Sequence, residues 1–192
     1  MQTARHIPPK QRIKLSQNEV MDLYYEKRHL VLTALAAALA GIALHFLYFL
    51  WPNALTALLA PINESLWEHV KLVFWPYLLA ALWLNRGRPG GLRPWLLTLP
   101  LLCLVLLGLG FLYHVLLHGG SLWVSVAIYL LTMALGFWLP TRFSGPFSGV
   151  RCHLPAALVV VLGILIALFT LWPPESLLFV DRSVGNWFLL PC

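Results

Sequence analysis

Charged residues are scarce in this sequence, at 10% of 192 residues, whereas soluble domains carry about 25%. Hydrophobic residues make up 60% of the chain. Water cannot solvate most of such a surface, which excludes an ordinary soluble domain. The composition therefore predicts an integral membrane protein.

Cysteine is also scarce, and its three residues form no Cys-x-x-Cys pair. This argues against disulfide bonds and thiol chemistry. The long apolar runs lack the alternation of polar and apolar residues that is typical of a membrane β-barrel. Helices are then the remaining way to satisfy the backbone hydrogen bonds in hydrocarbon, so we predict an all-α fold.

The net charge of +6 does not indicate nucleic-acid binding, because the lysines and arginines lie in short segments beside hydrophobic runs. In such positions they set the topology and contact anionic lipid headgroups. The expected partners are therefore membrane lipids, with no nucleic acid, and the pattern leaves the oligomeric state open.

Five apolar segments are close to the ~20 residues that a helix needs to cross the hydrocarbon. They cover residues 29–51, 65–84, 94–118, 121–139 and 154–172. We predict a basic tail and helix start at 1–28, a bundle of five transmembrane helices at 29–172, and a tail at 173–192 that could fold back as a lid. The segment 53–62 is too short to cross and predicts an interfacial or re-entrant helix.

The positions of lysine and arginine predict the orientation. These residues are concentrated before the first span, between the second and third spans, and between the fourth and fifth. The positive-inside rule then places the N-terminus inside and the C-terminus outside. In this orientation the span ends that carry most of the unusual ionisable residues face the outside.

The run N-E-S-L-W-E-H-V-K at residues 63–71 places four ionisable groups at the start of the second span. Each charge in hydrocarbon costs about 2.5–3.5 kcal/mol, so such residues indicate a function unless they reach water. On a helical wheel one side holds Glu64, Ser65, Glu68, His69 and Lys71, and this side should face a cavity. A helix beginning near Asn63 would favour the Glu64 carboxylate or a bound anion at its N-terminus.

Two further histidines, His114 and His118, end the third span four residues apart, which places both imidazoles on one face of a helix. With His69, or with an oxygen of Glu64, Glu68 or Asp181, they would supply three ligands to zinc and leave a fourth position open. Zinc lowers the pKa of bound water to about 7 and so supplies hydroxide at neutral pH. The sequence therefore predicts a possible Zn²⁺ site, with His69, His114 and His118 as its ligands.

Several polar residues could carry the accompanying chemistry. Glu68 or Glu64 would serve as general acid or base, Lys71 would neutralise a carboxylate or a substrate phosphate, and Ser65 could act as a nucleophile or only as a capping residue. Further candidates for the site are His45, Asn63 and Asp181.

These residues predict a membrane-embedded, metal-dependent hydrolase or transferase that acts on a lipid or lipid-linked substrate. Other interpretations stay open. The carboxylates and histidines could relay protons or bind a passing cation in a transport protein, or His45 and His114 could be the axial ligands of a haem or quinone protein. In a scaffold, the polar residues of the run would form ion pairs for folding alone, His45 would be a core histidine and His118 a hydrated helix end.

The run at 63–71 resembles the N-E-S-x-W-E-H-x-K run of an uncharacterised family of small bacterial membrane proteins, a domain of unknown function. Its members end in a P-P…L-F-x-D…G pattern, which residues 173–185 follow in part. The resemblance implies a bacterial protein of five or six spans, expected in the cytoplasmic membrane, with a shared site and no known reaction.

A second and looser similarity is chemical. The pairs Ser65…His69 and His114…His118 are similar in spacing to the zinc-binding elements of alkaline ceramidases and adiponectin-type receptors. Those membrane metallohydrolases have seven spans and an aspartate that this chain does not show in the corresponding span. The similarity implies zinc chemistry by analogy.

Overall fold

The computed structural model describes residues 26–87, 91–142 and 153–183. Every regular element in these ranges is helical, which confirms the all-α prediction. The predicted basic tail up to residue 25 and the end of the C-terminal tail from residue 184 lie outside the described residues. The helices are α1 (Lys27–Leu50), α2 (Ala54–Leu59), α3 (Val70–Leu84), α4 (Leu92–Phe111), α5 (Leu122–Trp138) and α6 (Leu154–Leu171).

Four helical segments are long and apolar enough to cross a membrane. They are Lys27–Leu50, Leu92–Leu116, Leu122–Arg142 and Leu154–Leu171, where the second and third include a π-helix and a 3-10 helix that continue α4 and α5. Their outward sides expose large apolar residues, such as Leu39 and Leu131 at 66% and 67% exposure. Since lipid is the solvent that suits such a surface, this is an integral membrane protein.

The predicted second span differs from the others. Residues 66–69 form turns, and α3 begins only at Val70 and has 15 residues. At 1.5 Å per residue it is about 22 Å long, which is shorter than the hydrocarbon core of about 30 Å. It is nevertheless the best-covered helix, with Val70, Val73 and Tyr77 fully buried. Helix α3 therefore packs inside the bundle, in contact with α1, α4 and α5.

The connection between α1 and α3 contains the short helix α2, in the segment where an interfacial helix was predicted. Asn53 caps α2, because its side-chain oxygen accepts hydrogen bonds from the amides of Leu55 and Thr56, both at 3.0 Å. Such a cap satisfies amides that have no acceptor within the helix. Helix α2 also contacts α6, so the connection lies across one end of the bundle.

Close packing of α1 depends on Gly41. The Tyr129 hydroxyl, from α5, donates a hydrogen bond to the carbonyl oxygen of Ala38 at 2.9 Å. A Cβ atom on Gly41 would fall on that hydroxyl and lie 2.5 Å from the carbonyl oxygen of Leu72 in α3. Small residues let membrane helices approach in this way, and here the approach brings the end of α1 to the start of α3.

Candidate functional site

A cavity of about 440 Å³ lies at one end of the bundle. The ends of α1 and α4, the starts of α3 and α5, and the segment after α6 meet around it. Its acidic, basic and histidine lining residues are His45, Glu64, His69, His114, His118 and Arg182. The structure thus collects in one cavity part of the polar residues that the sequence predicts at one membrane face.

Glu64 lies between two histidines in this cavity. The Nε2 atom of His69 is 3.3 Å from Glu64 Oε2, and Nε2 of His45 is 3.6 Å from Glu64 Oε1. One ligand atom from each of the three residues lies within 4.8 Å of the others. Ligands bound tetrahedrally to zinc at about 2.0–2.1 Å are about 3.3 Å apart. We call this group the His–Glu–His triad, and its spacing suits a single metal ion.

The orientation of His69 also suits a bound cation. Its Nδ1 atom is 2.7 Å from the carbonyl oxygen of Ser65. A carbonyl only accepts hydrogen bonds, so Nδ1 carries a proton and Nε2 of the neutral ring turns a lone pair toward the Glu64 carboxylate. Two acceptors this close need a cation between them, either a second proton on His69 or a metal. Histidines that bind metals commonly donate their other N–H to a backbone carbonyl.

His45 differs from an ordinary core histidine. Buried polar atoms are nearly always hydrogen-bonded, yet Nδ1 of His45 is buried and has no hydrogen-bond partner among the described residues. Its other nitrogen faces Glu64. Among the described residues, the polar contact of this ring is therefore the one to Glu64, within the triad.

The segment after α6 holds Glu64 in place. The Glu64 amide donates to Asp181 Oδ1 at 3.3 Å, and Arg182 Nε donates to the Glu64 carbonyl at 3.0 Å. The Trp67 amide donates to the Leu178 carbonyl at 2.9 Å. Residues 173–183 therefore pack against the chain segment that precedes α3, and Arg182 becomes part of the cavity lining.

The pKa of the Glu64 carboxyl lies below its ordinary value. The hydrogen bond from His69 is the largest cause, and the charges of His69, His45 and Arg182 act in the same direction. Partial burial opposes them, since it penalises the charged form. Glu64 therefore stays an anion at neutral pH, as a metal ligand must.

The remaining charged pair of the run, Glu68 and Lys71, is not part of the cavity lining. Lys71 Nζ donates to Glu68 Oε2 at 2.5 Å and to the carbonyl oxygen of Ala57 at 2.7 Å. Glu68 also accepts a hydrogen bond from the amide of Ile62 at 2.9 Å. The side chains of Glu68 and Lys71 are 4% and 0% exposed. This buried pair fastens α2 and the following loop to α3.

The chain matches the sequence profile described as a family of unknown function, DUF6512, over residues 20–189. The chain belongs to this family. No curated protein and no solved structure matches it. Membership confirms the predicted uncharacterised family, and it carries no information on the motif at residues 63–71, on a reaction or on the similarity to ceramidases.

In this DUF6512 chain, the prediction of one polar helix face over the nine-residue run is wrong. The amides of Val70, Lys71 and Leu72 bond to carbonyls three residues back, which is the pattern of a tight turn. The run is therefore not one regular α-helix: Glu68 bonds to Lys71 in a buried pair, whereas Nε2 of His69 faces Glu64 in the cavity.

Asn63 and Ser65 shape that turn. The Ser65 amide donates to Asn63 Oδ1 at 3.0 Å, and the Glu68 amide donates to Ser65 Oγ at 3.3 Å. Short polar side chains commonly bond to nearby backbone in this way. Ser65 is buried outside the cavity lining, so the geometry supports the capping role for it.

The structure does not place His114 and His118 on one helix face. Residues Leu112–Leu116 form a π-helix, and His118 lies beyond the helix end with a φ of 52°. Both residues line the cavity, but among the described residues it is the His–Glu–His triad whose ligand atoms are close enough for one ion. His114 instead bonds to the Gly119 carbonyl and to Ser125.

Glu64 should leave a signature in the pH dependence of stability. A carboxyl group whose pKa is lowered by folding adds stability above its ordinary pKa of 4.5. That contribution is lost as the pH falls through the lower pKa of the folded state. We therefore expect the difference in thermal midpoint between the parent and Glu64→Gln, measured in detergent, to be largest near neutral pH and to shrink below pH 4.5.

The matched control for this measurement is Glu175→Gln. Glu175 is exposed and does not line the cavity. We expect its midpoint to follow that of the parent at each pH. A gap between parent and Glu64→Gln that is the same at every pH would contradict the electrostatic role of Glu64.

Proposed function

We propose that this protein is a metal-dependent membrane hydrolase or transferase that acts on a lipid or lipid-linked substrate, with zinc held by His45, Glu64 and His69. The observation that carries the proposal is the convergence of the three ligand atoms on one point in a cavity. Two histidines and one glutamate form a ligand set of catalytic zinc sites, which keep a fourth position open. Zinc in such a site activates water and polarises carbonyl or phosphoryl groups.

The substrate class follows from the lining of the cavity. Its apolar part includes Leu66, Leu106 and Ile128, and its polar part includes the guanidinium of Arg182. A volume of about 440 Å³ lies within the ordinary range of ligand pockets. Leu122, which lines the cavity, and its neighbour Trp123 are large apolar residues with exposed side chains. These features suit an amphiphile with an anionic headgroup and an apolar chain.

The proposal includes a topology. We take α3 as the fifth crossing element, so that the chain passes through the membrane as α1, α3, α4, α5 and α6. The arginines and lysines then favour an N-terminus inside and a C-terminus outside. The cavity would open on the outer face of a bacterial cytoplasmic membrane.

An enzyme is favoured over a proton or cation relay. A relay needs polar groups at successive depths in the membrane. Outside their first and last turns, the described helices α1, α3, α4, α5 and α6 contain no Asp, Glu, Lys or Arg, and their single histidine there is His45, which is already a member of the triad. In the interior of the described helices, no further charged side chain or imidazole therefore leads from the triad toward the other end of the bundle.

The test is lipid turnover by the purified protein. The full chain in detergent is incubated with a bacterial phospholipid extract, and products are followed by mass spectrometry. We expect turnover that falls to background with the chelator 1,10-phenanthroline, returns with added zinc and is absent in His69→Ala. The Glu175→Gln variant should retain the parent rate.

Two outcomes would contradict the proposal. Turnover that survives the chelator and the His69→Ala change would show that the reaction needs no metal at the triad. The absence of turnover with every lipid, in a preparation that binds one equivalent of zinc, would argue that the site handles ions or supports the fold.

A further inference from the structure

A second chain of polar contacts lies in the cavity, separate from the His–Glu–His triad. Ser125 Oγ is 3.1 Å from Nε2 of His114, and Nδ1 of His114 is 2.8 Å from the carbonyl oxygen of Gly119. Ser125, His114 and Gly119 all line the cavity. The order of groups is hydroxyl, imidazole, acceptor.

The direction of the hydrogen bonds follows from the chemistry of the partners. The Gly119 carbonyl can only accept, so Nδ1 of His114 carries the proton. In the neutral ring Nε2 then has a lone pair, and the Ser125 hydroxyl donates to it. This is the arrangement in which a histidine takes the proton of a serine nucleophile while a third group orients the ring. Here a backbone carbonyl occupies the position of the usual carboxylate.

The surrounding backbone holds His114 and Ser125 at this distance. His114 lies on the π-helix Leu112–Leu116, and π-helices occur frequently at functional sites. The Gly119 amide donates to the Tyr113 carbonyl at 2.8 Å, and the Ser121 amide donates to the Tyr113 hydroxyl at 3.0 Å. A Cβ atom on Gly119 would collide with the Tyr113 ring. The link between α4 and α5 is thus held in a compact turn by its bonds to Tyr113.

The start of α5 provides a favourable place for negative charge. Ser125 lies in the first turns of this helix of 17 residues, and the Ser121 side chain forms no cap. The first amides of a helix have no acceptor inside it, and the helix dipole favours an anion there. Within the part of the chain that the structure describes, the Ser125 hydroxyl has one competing acceptor, the Ser121 carbonyl at 3.3 Å.

We propose that Ser125 is a nucleophile for acyl transfer and that His114 is its general base. This inference goes beyond the metal site and stands without it, although both would act in one cavity. The substrate class is an acyl ester with a long apolar chain, which the leucine-rich part of the lining would accept.

The reaction has two balanced halves. Ser125 Oγ bonds to the ester carbonyl carbon and gives its proton to Nε2 of His114, the bond to the leaving alcohol breaks, and His114 returns the proton to that alcohol. Water or an acceptor alcohol then attacks the acyl ester on Ser125 and passes its proton through His114 to the departing Ser125 oxygen. The products are one alcohol and one acid or new ester, and the protein is restored.

The test uses an alkyl fluorophosphonate, which bonds to activated serines with loss of fluoride. The full chain in detergent is treated with the probe, and the labelled peptide is identified by mass spectrometry. We expect labelling at Ser125 that is lost in Ser125→Ala. In His114→Gln its rate should fall by about 100-fold or more, the lower end of what a general base contributes.

The matched control is Ser183→Ala. Ser183 lines the same cavity, but its hydroxyl donates to Asp181 Oδ1 at 2.8 Å and is thus committed to a carboxylate. We expect this variant to be labelled like the parent. Thermal midpoints of all variants are measured alongside, and the labelling rate of the parent is recorded against pH, which requires no substitution. A rate that rises with pH and then levels off is expected for a histidine base.

The outcomes separate this inference from the metal site. Labelling of Ser125 that persists with chelator and in His69→Ala supports the serine nucleophile even if no zinc is bound. Absence of label on Ser125 in the folded parent over the whole pH range would overturn it, as would a label found equally on Ser183. A labelling rate without pH dependence would overturn the role of His114.

Discussion

Replacement of His69 by alanine should lower the affinity of the protein for zinc by more than about 100-fold. This is the upper end of the loss seen when only an outer-shell partner of a metal is removed, and His69 is proposed as a direct ligand. The measurement is zinc content by elemental mass spectrometry of detergent-purified protein, followed by competition with a chromophoric chelator. His45→Ala should show the same loss.

The matched control is His118→Ala. His118 lines the same cavity but lies outside the His–Glu–His triad, so we expect it to keep one equivalent of zinc. This control also tests the other ligand set that the sequence suggests. Loss of zinc in His114→Ala and His118→Ala, with zinc retained in His45→Ala, would contradict the triad. It would show that the zinc ligands are His69, His114 and His118.

Replacement of Glu68 by alanine should destabilise the protein by about 3–5 kcal/mol, which is the usual cost of breaking a buried ion pair. The change leaves the Lys71 ammonium without its anion in a fully buried place. The measurement is the thermal or denaturant midpoint in mixed micelles. Since this loss is a large part of the stability of a small protein, the variant should also give a lower yield of folded protein.

Two comparisons sharpen this prediction. Glu26→Ala removes the partner of His29 at 3.2 Å in an exposed pair, and exposed pairs contribute only about 0–1 kcal/mol. The double change Glu68→Leu and Lys71→Met removes both charges and should recover part of the loss. A Glu68→Ala variant that is as stable as the parent but inactive would instead support the acid–base role that the sequence suggests for Glu68.

Much of the fold could be predicted from the sequence because lipid imposes it. Apolar runs of about 20 residues without charge have few alternatives to a helix, and four such helices are present. The length of α3 could not be predicted, because an apolar run looks the same whether protein or lipid covers it. Only the structure shows that Val73 and Tyr77 are covered by other helices.

The position of the site at one end of the helices could also be predicted, but which polar residues contact one another there could not. Charges and histidines at one end of the spans indicate a polar cavity, and Glu64 and His69 lie in it. The separation of Glu68 from His69 depends on α2 and the loop after it, which bond to the Glu68–Lys71 pair, and a helical wheel contains no such tertiary contact. The contact of His114 with Ser125 depends on a π-helix and a glycine turn, and a serine in an apolar run gives no signal by itself.

The contacts of Glu64 with the segment after α6 have a consequence for biosynthesis. Arg182 and Asp181 bond to the backbone of Glu64 across more than 110 residues of sequence. Chains are made from the N-terminus at about 5–20 residues per second, so these contacts form only after the last described helix has left the ribosome. A nascent chain that carries His45, Glu64 and His69 therefore lacks its finished site for several seconds.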